Sequence, residues 1–311
     1  MNRNIHIAMS ALCLLWATSC EVEFDFRGLD SDPLFLIDGY VRTDPSEPGT
    51  GSFQMYLYGV PSAAGKREFD EEARCTLKIY RNSKLIDTKD YITIKDFFGL
   101  IADSYPAEEG DEFTVTAESG GFPTASSGTV IPRKPAEVQA EGSIDGDNLR
   151  IRFSITDNAG SEDAYAVCFR TESSFTRPDD NYSGAGLELT FGNTPESSFM
   201  DVGPFDVTWE DGYRYYGIYD DTFEGGRKEF EVTAPLPSID VGKKLYLRVE
   251  VQSVSPERLR YETACIDKAN NALGFIGLAP VTFAYTNVAG GAGCFSGGYS
   301  VFTDWTLVTE L

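Results

Sequence analysis

Carboxylates are the side chains this sequence offers most freely for chemistry. Aspartate and glutamate number 49 against 26 lysines and arginines, for a net charge of −23 at pH 7. Histidine occurs once, as His6 in the first few residues. The chain from residue 20 onward therefore has no imidazole, and cannot build a Ser-His-Asp or Cys-His nucleophile or a His-ligated zinc site. Three acidic clusters remain: Asp179-Asp180, Asp220-Asp221 with Glu224, and Asp157 with Glu162-Asp163. Two such carboxylates at the right separation are the machinery of a glycosidase. Grouped, they are oxygen ligands for calcium, but none follows the alternating D-x-D-x-D-G loop pattern. No pair is singled out, and loops in so acidic a chain carry carboxylates without special cause. No catalytic or metal-ligating residue is assigned and no cofactor is expected, with calcium left open.

A second chemistry belongs to Cys20. A basic start, Met1-Asn2-Arg3-Asn4, leads into an apolar run from Ile5 to Trp16 and then small residues, Ala17-Thr18-Ser19, ending at Cys20. This order is that of a secretory signal. With cysteine at the cleavage point it resembles a bacterial lipoprotein signal, in which the thiol is acylated and becomes the new N-terminus. The apolar run is too short to span a bilayer as a helix. Cys20 is thus the expected lipidation site, residues 1–19 the signal peptide, and residues 20–33 a tether. Excess negative charge disfavours nucleic acid and anionic headgroups as partners, so membrane attachment falls to the acyl chains.

The other cysteines beyond Cys20 are Cys75, Cys168, Cys265 and Cys294. None forms a C-x-x-C pair, which argues against a zinc ribbon or a thioredoxin-like site. Two disulfides and four buried thiols are both open readings. The densest aromatic stretch runs from Asp211 to Asp221, where strand geometry would align Tyr213, Tyr215 and Tyr219 as a face for a sugar or peptide. Tyrosine also fills half-buried sheet faces, which is the commoner use.

Short strands punctuated by turns must position these groups. Strands are expected over Leu34 to Val41, Phe53 to Tyr58, Arg74 to Tyr80, Lys84 to Thr88 and Glu112 to Ala117, with Arg81-Asn82-Ser83 as a hairpin turn. Pro132-Arg133-Lys134-Pro135 reads as a linker. Beyond it, Val138 to Ser143 and Leu149 to Ile155 flank the turn formers Asp145 to Asn148. Further strands are expected over Tyr165 to Arg170, Leu187 to Phe191, Tyr213 to Tyr219, Lys228 to Thr233 and Leu245 to Val251. The last is amphipathic, with Leu245, Leu247, Val249 and Val251 opposite Tyr246, Arg248 and Glu250. One helix is expected, capped by Ser255, opened by Pro256, and presenting Tyr261, Ala264, Cys265 and Ala269 on one face. From Ala269 to Thr303 no residue is charged, which suits a doubly buried strand with a glycine-rich connection or, alternatively, an apolar docking surface. The predicted fold is all-β: two β-sandwich-like domains, an immunoglobulin-like one over 34–131 and a second β-rich one over 136–311 carrying the short helix.

Leu36-Ile37-Asp38-Gly39-Tyr40-Val41, Tyr219-Asp220-Asp221-Thr222-Phe223-Glu224-Gly225-Gly226 and, above all, Thr286-Asn287-Val288-Ala289-Gly290-Gly291-Ala292-Gly293-Cys294-Phe295 carry a resemblance. With the lipoprotein start, they resemble the DUF4249 lipoproteins of Bacteroidota over most of the chain. Cys294 departs from the aliphatic residue expected in that pattern. The acidic run Glu21-Val22-Glu23-Phe24-Asp25 also resembles the signal that sends such lipoproteins to the cell surface. The resemblance implies a non-catalytic, surface-exposed outer-membrane lipoprotein that assists a TonB-dependent transporter by ligand capture or receptor docking. The alternatives are a stand-alone surface module for glycan or protein adhesion and, last, a carboxylate-dependent glycan hydrolase.

Overall fold

The computed structural model describes residues 33–60, 74–92, 97–160, 164–182, 184–189, 214–219, 223, 225–270 and 285–310. Cys20, Tyr213 and the clusters at 162–163, 220–221 and 224 lie outside these residues.

The first half of the chain forms β1 (Leu34–Thr43), β2 (Thr50–Val60), β3 (Arg74–Arg81), β4 (Lys84–Ile92), β5 (Phe97–Pro106), β6 (Glu112–Ser119) and β7 (Ala125–Val130). The second half supplies β8 (Glu137–Asp145), β9 (Asn148–Thr156), β10 (Ala164–Ser174), β11 (Ala185–Gly186), β12 (Tyr216–Tyr219), β13 (Arg227–Pro235) and β14 (Lys244–Val254). Helix α1 (Pro256–Asn270), β15 (Gly291–Phe302) and β16 (Thr306–Glu310) complete it. The all-β expectation holds. The hairpin between β3 and β4 turns on Asn82 and Ser83, both at positive φ, as a two-residue turn with the strands' own twist requires. Leu187 to Leu189 are irregular rather than a strand.

Three sheets build two cores. The largest has the order β11-β10-β14-β15-β1-β2-β5, with β12 also on β10 and β16 also on β14. A four-stranded sheet, β4-β3-β6-β7, packs on its β5-to-β15 end, and a three-stranded sheet, β13-β9-β8, on its β14-to-β10 end. Alternation along the strands decides what is buried where. Phe35, Ile37 and Val41 of β1 enter the first core with Phe53, Met55 and Leu57 of β2; Val167, Phe169, Val249 and Val251 enter the second. The boundary at 132–135 separates two cores but not two sheets. β15 pairs in parallel with β1 from Phe35↔Gly291 to Thr43↔Tyr299, and antiparallel with β14 from Val254↔Gly298 to Glu250↔Phe302. It gives Phe295 to the first core, while Val301 packs against the second. The two β-sandwich-like halves expected from the sequence thus share one sheet, joined through this strand.

The charge-free stretch proves structural where it is described. Asn287 accepts the Phe295 amide on its Oδ1 and donates its Nδ2 to the Phe295 carbonyl, closing the loop ahead of β15. Ala289 and Ser126 exchange backbone hydrogen bonds, tying that loop to β7. A Cβ on Gly291 would stand 2.6 Å from the Phe35 carbonyl oxygen. Gly293, at φ +103°, would place one 2.8 Å from the Ile37 carbonyl carbon. The glycines of the C-terminal motif are thus spacers that let β15 lie against β1 and β7.

Candidate functional site

The large sheet's other face, turned away from both cores, carries the buried charge. Its side chains come from the alternate positions of the same strands: Asp38, Tyr40 and Arg42 on β1, Arg170 on β10, Arg248, Glu250 and Gln252 on β14. The polar side expected of β14 is polar but not exposed, since Arg248, Glu250 and Gln252 are all buried. Glu250, 1% exposed, accepts from Arg170 Nη2 and from the Tyr215 hydroxyl at 3.0 Å, with Arg42 Nη1 3.7 Å away. Arg42 reaches it from β1 across Gly298, where a Cβ would meet Gln252 Nε2 at 2.9 Å and Arg42 Cβ at 3.3 Å. The pair spans the strand that joins the two halves. Burial works to lower the Arg42 pKa, but Tyr215, Glu250 and Tyr40 outweigh it, so the guanidinium stays charged.

This network corrects the aromatic face read from the sequence. Tyr215 is 2% exposed and its hydroxyl lies among Arg42, Arg170 and Glu250, so it offers no contact surface. Burial and the Glu250 charge push its pKa up, and it acts as a neutral hydrogen-bonding group. Of its expected companions, Tyr213 lies outside the described residues; Tyr219 belongs to β12, and its side chain lies outside them.

Helix α1 covers the neighbouring part of the same face. Among its described side chains Arg258 and Leu259 are buried, whereas Tyr261, Ala264 and Cys265 of the expected face are half-buried, and the side chain of Ala269 lies outside them. Arg258 donates to Asp38 at 3.0 Å and also pairs with Glu262. The Ser255 hydroxyl is buried without a partner among the described residues. The first turn is closed instead by the Arg258 amide donating to the Ser255 carbonyl. Four cysteines, Cys75, Cys168, Cys265 and Cys294, are free thiols, and burial pushes those of Cys75, Cys168 and Cys294 up to about 12.

The acidic candidates separate. Asp157, 4% exposed, accepts the Tyr165 hydroxyl on one oxygen and the Gly225 amide on the other, so both are committed to pinning the 223–226 turn. Asp179 accepts the Asn181 amide, and Asp180 pairs with Arg177 on the surface. Among the described residues no group of three or more His, Cys, Asp or Glu side chains is placed to hold a metal ion.

A cleft opens where the two halves meet. β1 ends at Thr43, level with Tyr299, whereas β15 runs on to Phe302. The space beside this overhang is about 360 Å³, lined by Thr43, Asp44, the 45–49 turn, residues 107–109, Lys134 and Arg248 along with the end of β15. Sequence alone did not reveal it, since its walls come from five separated segments. The signal was present in Arg248 and Glu250, charges set among strongly apolar strand residues, but solvent exposure was the simpler reading.

No family model matches the chain, and no curated protein matches it. Among solved structures it aligns with a beta-glycosidase from Bacteroides vulgatus at 10% identity and TM-score 0.23, over 72% of this chain and 23% of that one. Red sea bream transglutaminase aligns at 13% identity and TM-score 0.20, over 70% and 29%. The Fcho1 Mu homology domain from Danio rerio aligns at 9% identity and TM-score 0.19, over 90% and 98%. The chain spans under a third of the glycosidase and of the transglutaminase. At such TM-scores these likenesses carry neither fold nor activity.

Proposed function

We propose that this protein is a non-catalytic lipoprotein of the outer membrane, held at the cell surface through acylated Cys20, that assists a TonB-dependent transporter by capturing a ligand or docking on the receptor. The cleft at the junction of the two halves is the observation that supports a capture role. It is polar, open and floored by a buried arginine, whereas the described candidates for chemistry serve the fold. Asp157 holds a turn, and Tyr215 holds a charge network. The resemblance to DUF4249 lipoproteins supports the same reading.

The stand-alone adhesion reading relied on an aromatic face, and burial of Tyr215 removes that support. A glycan hydrolase would need a paired acid and base, and Asp157 has neither oxygen to spare.

The test is isolation of the lipidated protein from its native membrane after mild crosslinking. Co-isolation of a TonB-dependent transporter is the expected result, and repeated isolation without one would overturn the docking half. A Cys20→Ala chain should leave the membrane fraction. If it still partitions with membranes, the anchor assignment fails.

A further inference from the structure

Among the described residues Arg248 is a buried cation with no carboxylate within ion-pair distance, the charges of Asp180 and Glu250 acting on it from farther off. It is 6% exposed. Its Nε donates to the Thr303 carbonyl at 3.0 Å, and its Nη1 to the carbonyls of Asp180 and Tyr182 at 2.6 and 3.4 Å. The guanidinium lies 4.0 Å from the centre of the Phe302 ring and 5.5 Å from that of Trp305. The Nη2 group has no acceptor among the described residues. Its buried neighbours are treated differently: Arg42 and Arg170 face Glu250, and Arg258 faces Asp38 and Glu262. Carbonyls and ring faces supply only part of what a buried guanidinium loses on leaving water, and a full anionic partner is the usual remedy. Burial lowers the Arg248 pKa, and the opposing pull of Asp180 and Glu250 does not offset it.

The cleft provides room for that partner. Its volume of about 360 Å³ falls within the range of roughly 300–1,000 Å³ typical of small-ligand sites. Thr43 and Ser300 also line the cleft and are buried, while Glu108, Glu109 and Lys134 are exposed and Asp44 is half-buried. Pro45 and Pro48 stiffen the turn that walls one side. Charge is therefore divided by depth, with a cation on the floor and mainly carboxylates at the rim. A dianion such as phosphate would meet the floor favourably and the rim unfavourably. A molecule with a carboxylate at one end and an ammonium at the other matches both.

We propose that this cleft binds a small zwitterion, an amino acid or short peptide, with its carboxylate on Arg248 and its ammonium toward Asp44, Glu108 and Glu109. This deepens the capture reading and rests on it.

The test is calorimetric titration of the full chain, in detergent, with glycine, lysine, dialanine and trialanine, and with dialanine amide, N-acetyl-dialanine, glucuronate and inorganic phosphate as comparisons. At least one zwitterion of the first set should bind. Removing its carboxylate should weaken binding by about tenfold or more, the loss of one charge-assisted hydrogen-bonded pair. Removing its ammonium should weaken binding several-fold, and Glu108→Gln with Glu109→Gln should erase that second difference. Arg248→Lys should weaken every zwitterion; should this variant not fold, the rim variant, made on exposed side chains, still decides. The proposal is overturned if none of the four zwitterions binds at millimolar concentration, or if the amide binds as tightly as the acid. Tighter binding of glucuronate or phosphate than of any zwitterion overturns it too. A transporter that still co-isolates with a chain that binds nothing would leave the docking reading standing and remove the cleft. Binding without a transporter would do the reverse.

Discussion

Replacing Gly293 by alanine should cost far more than the same replacement five residues later. Gly293 holds φ at +103°, a region that costs an L side chain roughly 1–2 kcal/mol or more. The added Cβ would lie inside van der Waals contact of the Ile37 carbonyl oxygen, 2.8 Å from its carbon and 3.1 Å from the Ile37 nitrogen. Those atoms are backbone, so relief requires β15 to retreat from β1 by the order of 1 Å, toward normal carbon contacts of about 3.5 Å. Hydrogen bonds weaken steeply over such a distance. Two lost ladder bonds at about 1 kcal/mol each, with loosened packing of Ile37 and Phe295, bring the sum to roughly 4 kcal/mol. The gain from a less flexible unfolded chain returns only about 0.4–1 kcal/mol. At Gly298 the obstacle is the end of Gln252, which can swing aside at the loss of its 3.1 Å hydrogen bond to Ser300, about 1 kcal/mol. Urea unfolding followed by tryptophan fluorescence should therefore separate the two variants by about 3 kcal/mol, a large share of the 5–15 kcal/mol typical of a domain. Gly293→Ala unfolding at or above the midpoint of Gly298→Ala would refute the close-approach account of the motif.

Glu250→Gln should destabilise by about 3–5 kcal/mol, because it strips the shared carboxylate from Arg42 and Arg170 in a buried site. Tyr215→Phe, which leaves the charges in place, should cost about 1 kcal/mol in the same urea assay, and equal losses would mean that the network is not electrostatic. Acid stability should depend on Asp111. Burial works to raise its pKa, but Arg81, Asn82 and the Glu108 amide outweigh that and hold it below the usual carboxylate range. A depressed folded pKa contributes stability above the unfolded value near 4 that is lost as pH falls through the folded one. Asp111→Asn should flatten the stability profile below about pH 4, and an unchanged profile would remove Asp111 from the account.

The strands were legible because their chemistry is local. Alternation in β1 and β14, the Asn82-Ser83 turn and the Asp145 to Asn148 turn all follow from neighbours in sequence. What escaped was pairing between distant segments. Nothing near Leu34 shows that β1 lies beside β15, so the linker at 132–135 gives no sign that one sheet runs through both halves. The same gap hid the site. Glu250 read as a solvated residue because Arg42 and Arg170 approach it from strands 208 and 80 positions away in the chain. The partners of Tyr215 were hidden for the same reason. The glycine-rich stretch was read more nearly correctly, since absence of charge is itself a local sign of burial on both faces.

The parallel seam between β1 and β15 also sets a timetable. The Ser296 hydroxyl bonds to the Gly39 carbonyl, and the Ser300 amide to the Thr43 hydroxyl, each across 257 positions. β1 can pair early with β2, but it acquires its second partner only after the chain has been delivered to about residue 300. At synthesis rates of about 5–20 residues per second, that leaves Phe35, Ile37 and Val41 waiting many seconds for a completed sheet. A chain interrupted before β15 would lose the central strand of the large sheet rather than a terminal domain, and the first core, which takes Phe295 from it, could not close. Completion of the large sheet is thus deferred to the far end of synthesis, a schedule that penalises every truncated copy.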